Sequence, residues 1–152
     1  MSHLSPCRWR VSFVLAMLFL CGCFSTGQMR TNLPISKIER ISRLVIAPYA
    51  VEAESHYYDT LRDGWLLCRV RLRPDGVEKF LRQPRVQGSS ETETAQDRVL
   101  FQGARLELLS GSTVHTARRF ITATAMFEGH NVDILIDKDD PQRPDLYLYV
   151  LD

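Results

Sequence analysis

The sequence has few cysteines, no surplus of either charge and almost no long hydrophobic run. Three of its four cysteines lie within the first 23 residues, so Cys68 is the single cysteine of the remaining chain and no disulfide can form within that part. The 19 Lys and Arg residues nearly balance the 18 Asp and Glu residues. This balance gives no electrostatic case for nucleic acid or an anionic membrane surface as a partner.

The length limits the chain to one folded domain. The 152 residues include an N-terminal apolar segment, which leaves about 130 to fold, and a domain typically contains about 100–200 residues. A multidomain enzyme, a repeat array and a polytopic membrane protein are therefore excluded. Taking Arg8 and Arg10 of that segment from the 19 basic residues leaves 17 against 18 acidic ones, a net charge of −1.

The first 22 residues have the pattern of an export signal. Arg8 and Arg10 precede the apolar run 13–20, and no acidic residue lies before it. A basic region followed by about 7–15 apolar residues is typical of a signal peptide, whereas a transmembrane helix needs about 20. The pattern therefore predicts an export signal rather than a membrane span.

The export signal ends in Leu20-Cys21-Gly22-Cys23. These residues resemble the lipobox of bacterial lipoproteins, in which an aliphatic residue, a small residue and Gly or Ala precede an obligatory cysteine. The resemblance implies cleavage before Cys23, diacylglycerol on its sulfur, and a further acyl chain such as palmitate on the new amino terminus. Several acyl chains give stable anchoring where one is marginal. The lipid bilayer is then the expected partner, through acylated Cys23.

Two neighbouring features bear on this assignment. An ordinary secretory signal cut elsewhere is the alternative, but no Ala-x-Ala site follows the apolar run. Position 24, directly after the cysteine, is Phe rather than the Asp that favours inner-membrane retention in enterobacterial sorting. The resemblance therefore implies a lipoprotein of the outer membrane that faces the periplasm.

The mature chain is predicted to consist of a tether and one domain. Residues 23–36 combine the lipidated Cys23 with small, polar and turn-forming residues, so we predict a lipidated tether there and a single domain over 37–152. Ser36 and Glu39 have the spacing of a capping box at the start of a short helix.

The clearest strand is predicted over 65–73. Its apolar residues alternate with Arg69, Arg71 and Arg73, as expected for a strand with one buried face and one solvated face. Asp75 is predicted to cap a short helix over 77–82. Residues 52–63 are predicted as a helical turn or loop, and 87–96 as a mobile loop. Further strands are predicted over 44–47, 99–101, 106–109, 120–127, 132–136 and 146–151.

The last three strands define the fold class. Residues 120–127 and 132–136 are separated by a four-residue loop, which predicts a hairpin, and 146–151 follows after an acidic connection. We therefore predict an α+β fold: an antiparallel sheet, with a C-terminal meander, that carries one or two short helices on one face.

Metal and catalytic motifs are weak in this sequence. Asp137, Asp139, Asp140 and Asp145 depart from the Ca²⁺-loop template and are better explained as turn formers, so neither a metal nor a cofactor is predicted. Cys68 lies among the apolar positions of its strand, which favours a place in the core over a role as nucleophile.

The arginines and tyrosines offer a candidate binding face. Arg69, Arg71 and Arg73 line one side of a strand, although a solvated face whose charges pair with acids such as Asp133 is the simpler interpretation. Tyr147 and Tyr149 share a face of the last strand. Packing beneath a helix is the simpler interpretation for them, and contact with a protein partner is the alternative.

The C-terminal segment resembles the ends of small uncharacterised bacterial lipoproteins. The resemblance rests on Asp137-Lys138-Asp139-Asp140-Pro141 followed by Tyr147-Leu148-Tyr149. With no catalytic spacing in the chain, we expect a non-enzymatic, membrane-tethered domain that binds an envelope protein or another envelope component. The alternative is a small periplasmic hydrolase with a site assembled around His115 or His130.

Overall fold

The computed structural model describes residues 27–59, 64–92, 108–110 and 118–151, and within these residues the chain forms seven strands and two helices. The strands are β1 (Gln28–Thr31), β2 (Ala50–Asp59), β3 (Trp65–Leu72), β4 (Val86–Thr92), β5 (Phe120–Phe127), β6 (His130–Asp137) and β7 (Asp145–Leu151). The helices are α1 (Ile35–Ser42) and α2 (Gly76–Leu81).

The strands form one curled antiparallel sheet in the order β1-β2-β3-β7-β6-β5-β4. Two meanders, β1-β2-β3 and β4-β5-β6-β7, join where β3 pairs with β7. The predicted α+β class, with a C-terminal meander and two short helices, is therefore confirmed.

One face of the sheet, the helix face, carries the main core. Alternation along β3 places Leu66, Cys68, Val70 and Leu72 on this face with at most 1% of each side chain exposed, as the sequence predicts. Both helices cover it, and Phe80 of α2 is fully buried there. Burial of this many aliphatic side chains supplies the main stabilisation, at about 25 cal/mol for each Å² of apolar surface.

The opposite face of the sheet, here called the second face, also holds a buried cluster. Leu67, Leu135 and Tyr147 are fully buried there and pack with Leu109 and Phe120. The sequence prediction of a solvated second face is therefore wrong in its middle. Polar residues of this face lie on β2 and β3, where Glu54 and Glu52 face Arg69 and Arg71, and also on β5 and β6, where Thr124 faces Asp133.

Residues 52–59 form a strand rather than the predicted turn or loop. Ser55 and Tyr57 of β2 are buried on the helix face, while Glu52, Glu54 and His56 alternate onto the second face. The Ser55 hydroxyl accepts a hydrogen bond from the Leu33 N–H at 2.8 Å. The polar composition of β2 reflects its arginine partners on β3, which a local pattern does not show.

The strand predicted over 44–47 is absent, and an extended segment and a turn occupy these positions. The Glu39 carboxylate accepts hydrogen bonds from the N–H groups of Ile46, at 2.6 Å, and Ala47, at 2.7 Å. The Gln83 amide bonds both the N–H and the C=O of Val45. Side chains therefore satisfy the backbone groups that a neighbouring strand would otherwise satisfy.

Glu39 accepts hydrogen bonds from this segment and does not form the predicted capping box with Ser36. The N-cap position of α1 is Pro34, with no side-chain cap, and Ser36 is exposed. The predicted tether is also shorter than expected, because Gln28–Thr31 form β1 along the edge of β2.

Residues 86–92 form the edge strand β4, where a mobile loop was predicted. An edge strand needs hydrogen bonds on one side only, so exposed polar residues are compatible with it. Gly88, with a φ of 63°, lies at an irregularity between Gln87 and Ser90.

The predicted hairpin is confirmed, with a tighter turn. Glu128 and Gly129 are its two turn residues and have φ values of 48° and 87°. The strand predicted over 99–101 and the first half of that over 106–109 lie outside the described residues, while Leu108 and Leu109 are not in a strand.

Candidate functional site

The arginines of β3 face the acids of two neighbouring strands. Arg69 is in register with Glu54 of β2, and Arg71 is in register with Glu52 of β2 and Asp145 of β7. Residues opposite each other in an antiparallel pair share a face, so these side chains meet on the second face.

These residues form a network of ion pairs. Arg71 lies 2.9 Å from Glu52 and 3.1 Å from Asp145, while Arg69 lies 3.4 Å from Glu54. Asp145 is buried and accepts a hydrogen bond from the Arg71 guanidinium. This hydrogen bond is the main cause that raises the pKa of Arg71. For Arg69 and Arg71, the prediction that the arginines pair with acids on neighbouring strands is thus correct.

The predicted partner, Asp133, is not the one found. Asp133 is in register with Tyr149 on β7 and Thr124 on β5, away from the arginines. Burial raises the pKa of the Asp133 carboxyl, and burial together with the nearby Asp133 charge raises the pKa of Tyr149.

Two other residues of the predicted binding face also lie elsewhere. Arg73 follows the end of β3 and is exposed in the connection to α2, so it does not share the surface of Arg69 and Arg71. Tyr147 is fully buried, and it packs on the face opposite the helices rather than beneath one. Tyr149 is partly buried beside the same cluster.

A groove opens at the β2 side of the second face. It has a volume of about 310 Å³ and is here called the Arg69 groove. It is lined by Asn32, Glu52, Ala53, Glu54, Arg69 and Ser110. The Ser110 N–H and hydroxyl both donate to Glu54, at 2.9 and 2.8 Å.

The electrostatics of the Arg69 groove do not favour Ser110 as a nucleophile. Burial acts to raise the pKa of Glu54, but the Ser110 hydrogen bonds and the charges of Arg69 and His56 outweigh burial and lower that pKa. The Ser110 hydroxyl donates to this ionised carboxylate, while His56 Nε2 lies 3.9 Å from the same carboxylate. A nucleophilic serine needs a base that takes its proton, and a carboxylate with a lowered pKa is a poor base.

The histidines of the hydrolase alternative are placed as follows. His130 begins β6 beside the hairpin turn, and its ring stacks on Phe127 with centroids 5.5 Å apart. His115 lies outside the described residues, as does the lipidation candidate Cys23.

The acidic segment 137–145 forms the connection between β6 and β7. Asp139 accepts hydrogen bonds from the Arg118 and Arg119 N–H groups, and Asp140 accepts one from the Gln142 N–H. The Asp140 contact, to a residue two positions on, is that of a turn-forming carboxylate, whereas Asp139 binds the backbone of the segment before β5. Asp145 lies in β7 and pairs with Arg71, so its interpretation as a turn former is wrong. Among the described residues, no group of three or more His, Cys, Asp or Glu is arranged to hold a metal ion.

Cys68 lies in the core, as predicted. Its side chain is fully buried on the helix face, and burial raises the pKa of the thiol to about 12. The thiolate is therefore disfavoured at neutral pH, which is the opposite of what a nucleophilic cysteine requires.

Five residues that line the groove are not among the predicted site residues, namely Asn32, Glu52, Ala53, Glu54 and Ser110. Glu52, Glu54 and His56 recur at every second position, opposite Ala53, Ser55 and Tyr57. This alternation was the available signal for β2 and its acids. Asn32 and Ser110 carry no such signal, because they reach the groove from irregular segments.

Comparison of the chain with protein-family models, with curated proteins and with solved structures found no match. Within the part of the chain that the structure describes, no helix is long and apolar enough to cross a membrane.

Proposed function

We propose that this protein is a lipoprotein of the bacterial envelope. It is anchored through Cys23 and exposes a non-enzymatic binding domain to the periplasm. The lipobox resemblance of Leu20-Cys21-Gly22-Cys23 at the end of an export signal is the observation that carries the proposal. The described domain begins at Gly27, only four positions after Cys23. Acylation there would hold the domain at the membrane surface.

The Arg69 groove is the proposed binding site. Arg69 and Glu54 expose only 14% and 20% of their side chains, and each is held by neighbours on its own sheet. Side chains that are already ordered lose little entropy when a ligand binds. One basic residue, Arg69, lines the groove together with two acidic residues, Glu52 and Glu54, and with Asn32.

This charge pattern defines the partner that fits. A polypeptide segment with both basic and acidic side chains would complement it, and electrostatic complementarity gives specificity more than affinity. We therefore propose an envelope protein as the partner, bound through such a segment. Nucleic acid is not a proposed partner, because the groove is not basic overall.

Site-specific photo-crosslinking in cells tests the binding site. A photoreactive residue at Glu52, which exposes 57% of its side chain in the groove, is expected to give a discrete adduct. The control is the same residue at Glu78 on α2, which exposes 80% of its side chain. An adduct at position 52 that is absent at 78 and lost on adding Glu54→Gln supports the proposal, and equal adducts or none at either position contradict it.

Activity assays on the same protein address the hydrolase alternative. Hydrolysis of envelope peptides or esters that is lost in His130→Gln or His115→Gln would favour the enzyme and contradict a purely binding role. Loss of hydrolysis in Ser110→Ala would also contradict a purely binding role, since we propose that Ser110 only positions Glu54.

A further inference from the structure

One end of the sheet collects the strand ends that lie nearest to the proposed anchor. The register aligns Gln28 with Asp59, Tyr58 with Trp65, and Trp65 with Leu151. Along the other strands it aligns Val150 with Val132, Phe127 with His130, and Ala125 with Val86. The start of β1, the end of β7 and the turn between β5 and β6 therefore lie at the same end, here called the anchor end.

The distance from Cys23 to the anchor end is short. Gly27 precedes β1 and lies so close to the Tyr58 ring that an added Cβ would be 2.3 Å from the ring carbon Cζ. Four positions separate Cys23 from Gly27, and a fully extended chain covers about 14 Å over that separation. An acylated Cys23 would therefore hold Gly27, at the β1 side of the anchor end, within about 14 Å of the membrane interface.

The anchor end exposes apolar side chains. The described residues include five exposed large hydrophobics, and three of them, Met29 (44%), Met126 (66%) and Leu151 (53%), lie at this end. Tyr58 and Trp65 stack beside them, with ring centroids 6.1 Å apart. Tyr and Trp are enriched where proteins meet the membrane interface, because their rings are apolar with a polar group at one edge.

A basic groove lies at the same end. It has a volume of about 400 Å³ and is lined by Arg43, Arg85, Met126, Phe127 and Glu128. Arg85 donates a hydrogen bond to the Arg43 C=O, and within the described residues neither guanidinium forms an ion pair. With Glu128 as its one acidic lining residue, the groove carries a local positive charge that the near-neutral total conceals.

We infer that the anchor end docks on the bilayer, with Arg43 and Arg85 binding phosphates of anionic phospholipids and Met126 reaching the interface. This inference rests on the proposed anchoring at Cys23. Each basic residue at an anionic surface contributes about fivefold to membrane partitioning. The Arg69 groove, at the middle of β2 and β3, would then be held above the membrane in one orientation.

The test measures the height of two labelled positions above the membrane. The full acylated protein is placed in vesicles of 70% phosphatidylcholine and 30% phosphatidylglycerol, with a nitroxide on Met126→Cys or on Gln142→Cys. Gln142 is exposed in the connection at the opposite end, about 27 Å away along an eight-residue strand. Collision with an aqueous nickel complex is expected to be several-fold lower for the label at 126.

Charge variants test the role of the arginines. Arg43→Gly/Arg85→Gln, added to the Met126→Cys protein, is expected to restore collision at 126 to the level at 142. Arg43 has a φ of 57° at the end of α1, where Gly is favoured, so this variant is expected to fold. Arg73→Gln/Arg143→Gln, which changes exposed residues at the opposite end, is the matched control and should leave the label at 126 protected.

The outcomes separate the two proposals. Mass spectrometry of the same samples reports whether Cys23 is acylated. A protein without this acylation would overturn the proposed function and this inference together. An acylated protein with equal collision at 126 and 142, or with 142 the protected position, would overturn this inference alone. Protection at 126 that the arginine variant leaves unchanged would overturn the phosphate contacts.

Discussion

At the scale of single residues, the pair of Arg71 and Asp145 joins strands that are 74 positions apart in the chain. Asp145 exposes 9% of its side chain and Arg71 exposes 29%, so water screens this pair less than an ion pair on the surface. Removing one member of a buried pair leaves the other charge without compensation, which costs more than the pair itself contributes.

Asp145→Ala is therefore expected to lower the free energy of unfolding by about 2–3 kcal/mol. Glu52 remains as an ion-pair partner of Arg71, which limits the loss of stability. Urea unfolding followed by circular dichroism measures the effect. The matched control is Asp75→Ala, whose carboxylate pairs with Lys79 on the surface, and it should leave the stability unchanged within error. Equal losses in the two variants would show that the buried pair has no special role.

Cys68 gives a prediction about pH. Its pKa in the folded protein, raised to about 12 by burial, exceeds the value of about 8.5 expected for an unfolded chain. Stability is therefore fully present below about pH 8.5 and declines as the pH rises toward 12, because only the unfolded chain releases the proton. Unfolding free energies of the parent and Cys68→Ala at pH 8 and pH 10 are compared. The free energy of unfolding of the parent is expected to fall more between pH 8 and pH 10, and equal decreases in the two proteins would contradict burial of the thiol.

At the scale of elements, prediction succeeded where local pattern and tertiary environment agree. Alternate residues of β3 and of the β5-β6 hairpin form the core of the helix face, and their apolar periodicity is visible in the chain. Strands β2 and β4 were missed because their polar residues are explained by partners or by position at an edge. Burial of Tyr147 depends on Leu109 and Phe120, which reach it from distant segments.

The segment between α1 and β2 shows the same limit. Leu44 and Ile46 are buried, as a strand would require, but Glu39 and Gln83 take the hydrogen-bonding role of a neighbouring strand. No local pattern reveals that these side chains reach across to the backbone. The apolar run at 44–47 therefore contributes Leu44 and Ile46 to the core without forming the predicted strand.

Glu39→Ala is expected to destabilise the domain by about 1–3 kcal/mol, because the N–H of Ile46 would be left buried without an acceptor. Glu39→Gln should recover part of the loss, since its amide oxygen still accepts hydrogen bonds. Thermal unfolding of the two variants is compared with that of Glu78→Ala, an exposed glutamate on α2. If Glu39→Ala and Glu78→Ala unfold at the same temperature, the Glu39 side chain does not stabilise this segment.

At the scale of the whole molecule, the average composition conceals an uneven arrangement. A net charge close to zero argued against an anionic membrane, yet Arg43 and Arg85 line one groove at the anchor end. Placement of this kind follows from the register of the sheet, so it was not available from the sequence. The lipobox resemblance, in contrast, depends on the sequence alone.

The proposed anchoring depends on the chemical state of Cys23, which mass spectrometry measures directly. The protein is purified from membranes and digested with trypsin, and its N-terminal peptide is identified by mass spectrometry. We predict a peptide that begins at Cys23, ends at Arg30 and carries diacylglycerol and a further acyl chain. A peptide that extends into Leu20 to Gly22, or an unmodified Cys23 at a free amino terminus, would contradict the proposed anchoring.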